Sequence, residues 1–268
     1  MSELEKLRVV IGYEFLKHIR RRRLYVIMGI ALVAEALVLI LIPALQDGYP
    51  SSVMVMAAIL TVGPSLAALG AVFFAGDAIA GEFEGRTGFI LFTNPIKKIT
   101  LWTGKYLASF LAVTLLIIFS YIIIAVSLGV IYGEVPVEIV ESFGLCVLYA
   151  AAVLSVTFLF SAVSKGAMGA TVMTLVFIWV ISGILESVLA FTGNPYWFVI
   201  SAGGDSIALV YGNMQTFMAG LGLGDGRFED VFSGYEPLTV GMAAWGMIIY
   251  LVVGFAVSLW ISRRRQLA

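Results

Sequence analysis

Six long apolar runs dominate the hydrophobic pattern of the chain, and most of its charged residues lie between them. A helix needs about 20 mostly apolar residues to cross the hydrocarbon core of a bilayer. The pattern predicts six membrane-spanning helices, at Leu24–Ile42, Val53–Ala75, Tyr106–Ile131, Ile139–Val163, Met168–Ala190 and Val240–Ile261. We therefore expect an all-α integral membrane protein whose residues 1–268 form one transmembrane domain.

The segment that precedes the first run has the period of an amphipathic helix. Its apolar residues and the lone histidine recur at steps of three and four, at Leu4, Leu7, Ile11, Phe15 and His18. Its charged residues lie largely on the other faces. The pattern predicts that residues 1–23 form an amphipathic helix lying on the membrane surface.

Basic residues indicate the orientation of the six spans. Every lysine and arginine except Arg227 falls before span one, between spans two and three, between spans four and five, or after span six. Because basic residues stay on the cytoplasmic side during insertion, both termini are expected inside the cell, in a multi-pass protein of the plasma membrane.

The segment 195–220 is also fairly apolar, but Gly203, Gly204 and Asp205 interrupt it. A seventh crossing there would put Arg263–Arg265 outside the cell, against the charge rule. We therefore predict a re-entrant outer helical hairpin within residues 191–239, which enters the outer leaflet and returns.

Composition and charge exclude several classes of function. The chain is 61% hydrophobic and 12% charged, whereas soluble domains average about 45–50% apolar and 25% charged residues. A net charge of −1 gives no electrostatic basis for nucleic-acid binding. With one cysteine and one histidine, Cys146 and His18, the sequence predicts no intrachain disulfide and no metal site. It also lacks a GxxxxGK[ST] phosphate-binding loop, so we assign no catalytic or cofactor-binding residues.

The segment Gly76–Lys105, between the second and third runs, is punctuated by glycines and helix caps. Gly76 and Asp77 predict a turn and an N-cap for a short helix that Gly85 ends, and Asn94-Pro95 stops a second apolar piece. Such spacing favours an ordered cytoplasmic unit. The alternative is an ordinary tight loop, since loops are often polar and capped.

Several of these residues resemble the signature of the type-two ATP-binding-cassette (ABC) transporter permeases. The matching positions are Asp77, Ala80-Gly81-Glu82, Gly85-Arg86-Thr87, Asn94-Pro95 and Gly104-Lys105. Two features depart from the family pattern, Arg86 between Gly85 and Thr87 and the pair Lys97-Lys98. The resemblance extends over the whole chain, in the surface helix, the six spans and the outer hairpin.

The resemblance implies that residues 76–105 contain a coupling helix that docks onto a separate ABC ATPase subunit. That subunit would hold ATP and Mg²⁺, and the chain would not be an enzyme by itself. It also implies pairing with a second permease copy or a paralogue, with export as the result. The residues expected to dock are Asp77, Glu82, Phe83, Glu84 and Arg86, of which Glu82, Glu84 and Arg86 are predicted to be the most exposed charges.

Glu35 lies near the middle of the first span, where an ionisable side chain is costly and frequently functional. One interpretation is a group that lines a translocation path or a proton-coupled gate. The other is a neutral carboxyl group hydrogen-bonded to a neighbouring helix. Two further classes of function stay open: a channel or receptor-like membrane protein, and an intramembrane hydrolase that uses Glu35. The sequence does not indicate a substrate.

Overall fold

The computed structural model describes residues 2–46, 48–85, 96–213, 216–217 and 238–264. Within these ranges every regular element is a helix. Six helical segments are long and apolar enough to cross a membrane, at Arg23–Leu45, Val53–Glu84, Lys98–Tyr132, Glu138–Val163, Ala167–Phe191 and Val240–Arg264. These segments are spans one to six, and they confirm the prediction of an all-α protein with six spans.

Span four is the centre of the bundle. Over its most apolar window 61% of the residues are buried, compared with 17% in spans one and five and 22% in span six. Small residues such as Ala150 and Ala152 face its neighbours and allow close packing. Spans two and three pack beside span four, and spans one, five and six form the outer layer.

Span two is broken in the middle. Its helices Val53–Leu60 and Gly63–Ala75 are separated at Thr61, where φ is −73° and ψ is 76°. The N–H of Val62 donates to the carbonyl of Leu60 over 2.7 Å, which makes an inverse γ-turn. A Cβ on Gly63 would lie 2.9 Å from Cys146 Sγ, so this position has no room for a side chain. Gly63 and Pro64 begin the second helix directly after the break.

Spans five and six each contain one π-helical segment, at Val176–Ile181 and Tyr250–Gly254. In span five the hydroxyl of Ser182 donates to the carbonyl of Phe177 over 2.7 Å, five residues earlier. π-helical turns are rare in proteins and are frequently found at functional sites.

Span three begins earlier than the sequence predicted. Its helix covers Lys98–Tyr132 and ends at Gly133, which has a φ of 74° that favours glycine. The early start, at Lys98 instead of Tyr106, places Gly104 and Lys105 inside the helix. Both then face the N-terminal helix, Glu3–Arg20.

The described part of the outer segment contains a short helix, Ile200–Asp205, and a 3₁₀ turn, Ala208–Tyr211. Gly203 and Gly204 lie inside the short helix, where Cβ atoms would come within 3.4 Å of Met247 and Tyr149 respectively. The glycines therefore allow close packing against spans four and six. Residues 214–215 and 218–237 lie outside the described ranges, and the re-entrant path stays a prediction.

Candidate functional site

The N-terminal helix is seated on the first turns of span three. It begins with a capping box, in which Ser2 and Glu5 satisfy each other's backbone N–H groups. Its buried face carries Val10, Glu14 and His18, and Leu4 is 78% exposed. The predicted apolar face is therefore wrong in part, because a carboxylate lies on the face that packs against the bundle.

Gly104 makes this close packing possible. A Cβ built on Gly104 would lie 2.5 Å from Val10 Cγ1 and 3.0 Å from Val10 Cβ. Only glycine lets the N-terminal helix approach span three at this point. One residue later, Lys105 points into the same contact.

Lys105 is 2% exposed and is paired with two carboxylates. Its Nζ donates to Glu14 Oε1 over 2.6 Å and to Glu82 Oε1 over 2.7 Å. Lys17 Nζ lies 3.2 Å from the other oxygen of Glu14. We name these four residues, Lys17, Glu14, Lys105 and Glu82, the charge row. It alternates in sign and connects the N-terminal helix, span three and the C-terminal end of span two.

The buried charges of the row stabilise one another. Desolvation of buried charges is expensive, and it is offset here by short, charge-assisted hydrogen bonds. Burial by itself raises the pKa of Glu14, but the neighbouring ammonium groups of Lys105 and Lys17 outweigh burial and hold this pKa below its ordinary value of 4.5. Glu14 is therefore ionised at neutral pH.

His18 lies one turn after Glu14 and is also buried. Its ring centre is 5.1 Å from that of Phe74, and its Nε2 is 3.4 Å from the hydroxyl of Ser109. Burial lowers the pKa of His18 from 6.5 to about 4, so the ring is neutral at pH 7. His18 joins the N-terminal helix to spans two and three by packing.

A second set of ion pairs joins the end of span two to the start of span one. Asp77 Oδ2 accepts from Arg21 over 2.8 Å and from Arg23 over 3.3 Å. Arg23 also donates to the carbonyl of Phe73 over 2.9 Å. Asp77 therefore connects the two spans. The prediction that Asp77 caps the short helix is wrong.

Ser161 of span four supplies the missing cap. Its hydroxyl oxygen accepts from the N–H groups of Ile79 and Ala80 over 3.1 and 3.0 Å, and its hydroxyl donates to the carbonyl of Gly76 over 2.9 Å. The first N–H groups of a helix have no partners within that helix. One buried serine thus satisfies the start of the short helix Ala80–Glu84, which we name the loop helix.

The loop helix contacts two further spans. Phe83 is stacked with Trp102 of span three, with ring centres 6.4 Å apart and an interplanar angle of 23°. Glu84 Oε2 accepts from the N–H of Ala167 over 2.7 Å, at the start of span five. The loop helix ends before Gly85, as the glycine predicted. It thereby touches spans three, four and five, and Lys105 links it to the N-terminal helix.

The structure gathers most of the predicted docking residues on one short segment. Asp77, Phe83 and Glu84 lie within residues 77–84, and Arg86 falls outside the described ranges. The prediction that Glu82 is exposed is wrong, because Lys105 takes its carboxylate into the bundle, where the residue is buried. Glu84 is exposed. Docking itself stays a prediction for all five residues.

Sequence reasoning missed Glu14, the burial of Lys105 and the cap from Ser161. A signal existed for the first two, since a lysine at the start of an apolar run needs a counter-ion when it is buried. The Glu14–Lys17 spacing of three also marked a charged face. Nothing in the sequence distinguished Ser161 from other small residues in span four.

Residues 10–181, more than half of the chain, match the family model described as ABC-2 family transporter protein. The chain belongs to this ABC-2 transporter family. The matched residues include the charge row, the loop helix and spans one to four. A comparison of the chain with curated proteins finds no match. Membership identifies this chain as a membrane component of an ABC transporter, in a family whose members are generally not catalysts.

Glu35 of this ABC-2 chain lies in the outer layer, on span one, yet it is buried. Its Oε1 accepts from the hydroxyl of Ser120 on span three over 2.5 Å. Its Oε2 has no hydrogen-bond partner among the described residues. This contact agrees with the interpretation of Glu35 as a carboxyl group that is hydrogen-bonded to a neighbouring helix. A role in the translocation path stays a prediction.

Proposed function

We propose that this chain is the permease subunit of an ABC exporter, and that a separate ATPase subunit binds ATP and Mg²⁺ and docks on the segment 76–105. The observation that carries the proposal is the charge row. Through Lys105 it ties the loop helix to the N-terminal helix and to span three by short buried ion pairs. A displacement of the loop helix would therefore reach several elements at once.

The distribution of basic residues supports a cytoplasmic position for this segment. Arg21, Arg23, Lys98 and Lys105 belong to the end of the bundle that carries the loop helix. Since basic residues remain in the cytoplasm during insertion, this end faces the cytoplasm of a plasma-membrane protein, with both termini inside.

The proposed docking surface has two kinds of residue. Glu84 is exposed, and together with Phe83 and Arg86 it forms the part that meets the ATPase. Asp77 and Glu82 are engaged inside the chain by Arg21, Arg23 and Lys105, and they carry the displacement into the bundle.

In the proposed cycle two permease subunits pair, and ATP-driven closure of two ATPase subunits moves the two loop helices. The N-terminal helix and span three follow, because the charge row resists separation. The break at Thr61 lets the inner half of span two, Gly63–Ala75, move relative to Val53–Leu60.

The test is co-purification of the tagged full chain with its ATPase subunit from native membranes, followed by assay of ATP hydrolysis. We expect Glu84→Lys to lower the amount of bound ATPase subunit, because it reverses the exposed charge of the docking surface. Glu134→Lys is the matched control, since Glu134 is also exposed but lies at the other end of the bundle, beyond Tyr132.

Two outcomes would count against the proposal. If no ATP-hydrolysing subunit accompanies the wild-type chain, the proposed coupling to a separate ATPase subunit is wrong. If the ATPase subunit binds the Glu84→Lys chain as well as the wild type, the docking surface is wrong.

A further inference from the structure

A cavity of about 460 Å³ lies between spans four, five and six, away from the charge row. Its size falls within the roughly 300–1,000 Å³ of small-molecule pockets. The lining residues are Val156, Leu159, Phe160, Phe177, Phe198, Gly246, Ile249, Tyr250, Val253 and Gly254. Their side chains carry a single hydroxyl group, that of Tyr250.

Both π-helical segments of the structure contribute to this cavity. Phe177 belongs to the one in span five, and Tyr250, Val253 and Gly254 belong to the one in span six. A π-turn inserts one extra residue into a helix and displaces the side chains around it. Each of the two spans thus contributes an irregular turn to the wall of the same cavity.

Two glycines fix span six on either side of the cavity. A Cβ on Gly254 would lie 3.2 Å from Ser155 Cβ, and a Cβ on Gly246 would lie 2.7 Å from the carbonyl oxygen of Trp197. The two glycines are eight residues apart, or about 12 Å along a helix. Span six is thus pressed against its neighbours at both points.

The apolar side chains that line the cavity determine which kind of molecule can bind there. A polar group placed among these side chains would lose its hydrogen bonds to water without replacement, which is strongly unfavourable. The cavity is also open toward the outside of the bundle, because Ile249, Val253 and Phe198 are exposed at its edge. The occupant is therefore a hydrocarbon that enters from the bilayer side.

Size distinguishes a flexible chain from a helix of another subunit. A helix with its side chains is about 10–12 Å wide and rises about 5.4 Å per turn, so that one turn fills roughly 400–600 Å³. The cavity has about the volume of one such turn, so it cannot enclose a whole span of another subunit. We propose that the acyl chain of a membrane lipid occupies this cavity and packs against both π-helical segments.

Photo-labelling tests the proposal on the full chain in phosphatidylcholine vesicles that contain a phosphatidylcholine with a diazirine in one acyl chain. After irradiation, labelled residues are mapped by mass spectrometry. We expect labelling of Phe160 and Phe177 to exceed that of Val180, an exposed residue of span five outside the cavity, by about tenfold, which corresponds to about 1.4 kcal/mol of preference.

Two adjacent valines give a matched pair of variants. Val253 lines the cavity and Val252 does not, although they are 54% and 59% exposed and belong to the same π-helical segment. Val253→Trp should fill the cavity and remove the labelling of Phe160 and Phe177. Val252→Trp should leave it unchanged. Leu159→Trp fills the cavity from span four and replaces Val253→Trp if that variant does not fold.

The proposal is overturned if labelling is uniform over the outer faces of spans five and six, or if both valine variants reduce it equally. A second copy of the chain is the rival occupant. Oxidation of Val253→Cys tests for it, because the native Cys146 is buried and does not react. Disulfide-linked dimers of this variant in membranes would assign the cavity to that second copy.

Discussion

Lys105 places an ammonium group where almost no water reaches it, and its two carboxylate partners come from segments far apart in the chain. Lys105→Met removes the counter-ion that two buried carboxylates, Glu14 and Glu82, share. We expect a loss of about 3–5 kcal/mol in the free energy of unfolding. Denaturant unfolding in detergent micelles measures it.

The control is the triple variant Lys105→Met, Glu14→Gln and Glu82→Gln. It removes all three charges, so most of the lost stability should return. If the triple variant unfolds as easily as Lys105→Met alone, the removal of the shared counter-ion is not the cause of the loss.

His18 makes stability depend on pH in a defined window. Its pKa is about 4 in the folded chain and 6.5 as the ordinary value, so between these values the unfolded chain binds more protons. The free energy of unfolding should therefore fall as pH drops from 6.5 to 4, by up to about 3 kcal/mol. His18→Phe keeps a ring against Phe74 and should abolish this fall, measured by unfolding at several pH values.

Glu14 gives an internal reference for that measurement. Its pKa lies below 4.5 in the folded chain, so its contribution to stability is present above pH 4.5 and is lost as pH falls through the lower folded value. The His18→Phe chain should retain this loss at the acid end. An unchanged profile between pH 6.5 and 4 would show that His18 is not the titrating group.

At the residue scale the sequence indicated where the candidate site lies but not which of its charged residues pair with each other. Glycine spacing was sufficient to mark the loop helix and its end before Gly85. The pairing of Lys105 with Glu14 was not predictable, because the two are 91 positions apart and meet only through helix packing. The exposure assigned to Glu82 failed for the same reason.

At the scale of elements, the contact between the N-terminal helix and span three depends on one missing side chain. Gly104→Val places a branched side chain where Val10 already lies, so we expect the helix to separate from span three. Backbone hydrogen exchange of residues 3–20 should then increase about tenfold or more, as in local opening. Mass spectrometry of the reconstituted chain measures this exchange.

Gly12→Val is the matched control for that experiment. Gly12 lies in the same N-terminal helix, and a Cβ there would meet no atom within 4 Å. Both variants replace a helical glycine with valine, so the change in intrinsic helix propensity is the same. Equal exchange in the two variants would refute the proposed role of Gly104.

Elements with a clear hydrophobic signal were predictable, and those shaped by their neighbours were not. The length of the apolar runs was sufficient to predict the six spans. The early start of span three was missed because its first turns carry lysines. The two π-helical segments have no sequence signal, since an extra residue in a helix is accommodated through tertiary packing.

At the scale of the whole molecule, the orientation in the membrane is open to a direct test. Arg22 and Glu134 are exposed and lie at opposite ends of the bundle. A membrane-impermeant maleimide applied to intact cells should label Glu134→Cys at once and Arg22→Cys only after permeabilisation. The native Cys146 is buried and contributes no background. The reverse order of labelling would invert the proposed orientation.

The outer layer of the molecule remains available for other molecules. Spans one and five expose apolar side chains such as Leu37, Val180 and Ile184. Lipid or a second subunit can cover them, and the proposed pairing of two permeases would use part of this surface. The contacts described for the charge row and the loop helix join parts of a single chain.

The alternating order of the charge row limits how the N-terminal helix can travel. A slide of one turn, about 5.4 Å, would bring Val10 or His18 opposite Lys105 in place of Glu14. Neither offers a negative charge, so the ammonium group would lose half of its neutralisation. The charge row therefore permits the N-terminal helix to rock about Lys105 but opposes its translation along its own axis. If an ATPase subunit displaces the loop helix as proposed, we expect the N-terminal helix to tilt and not to slide.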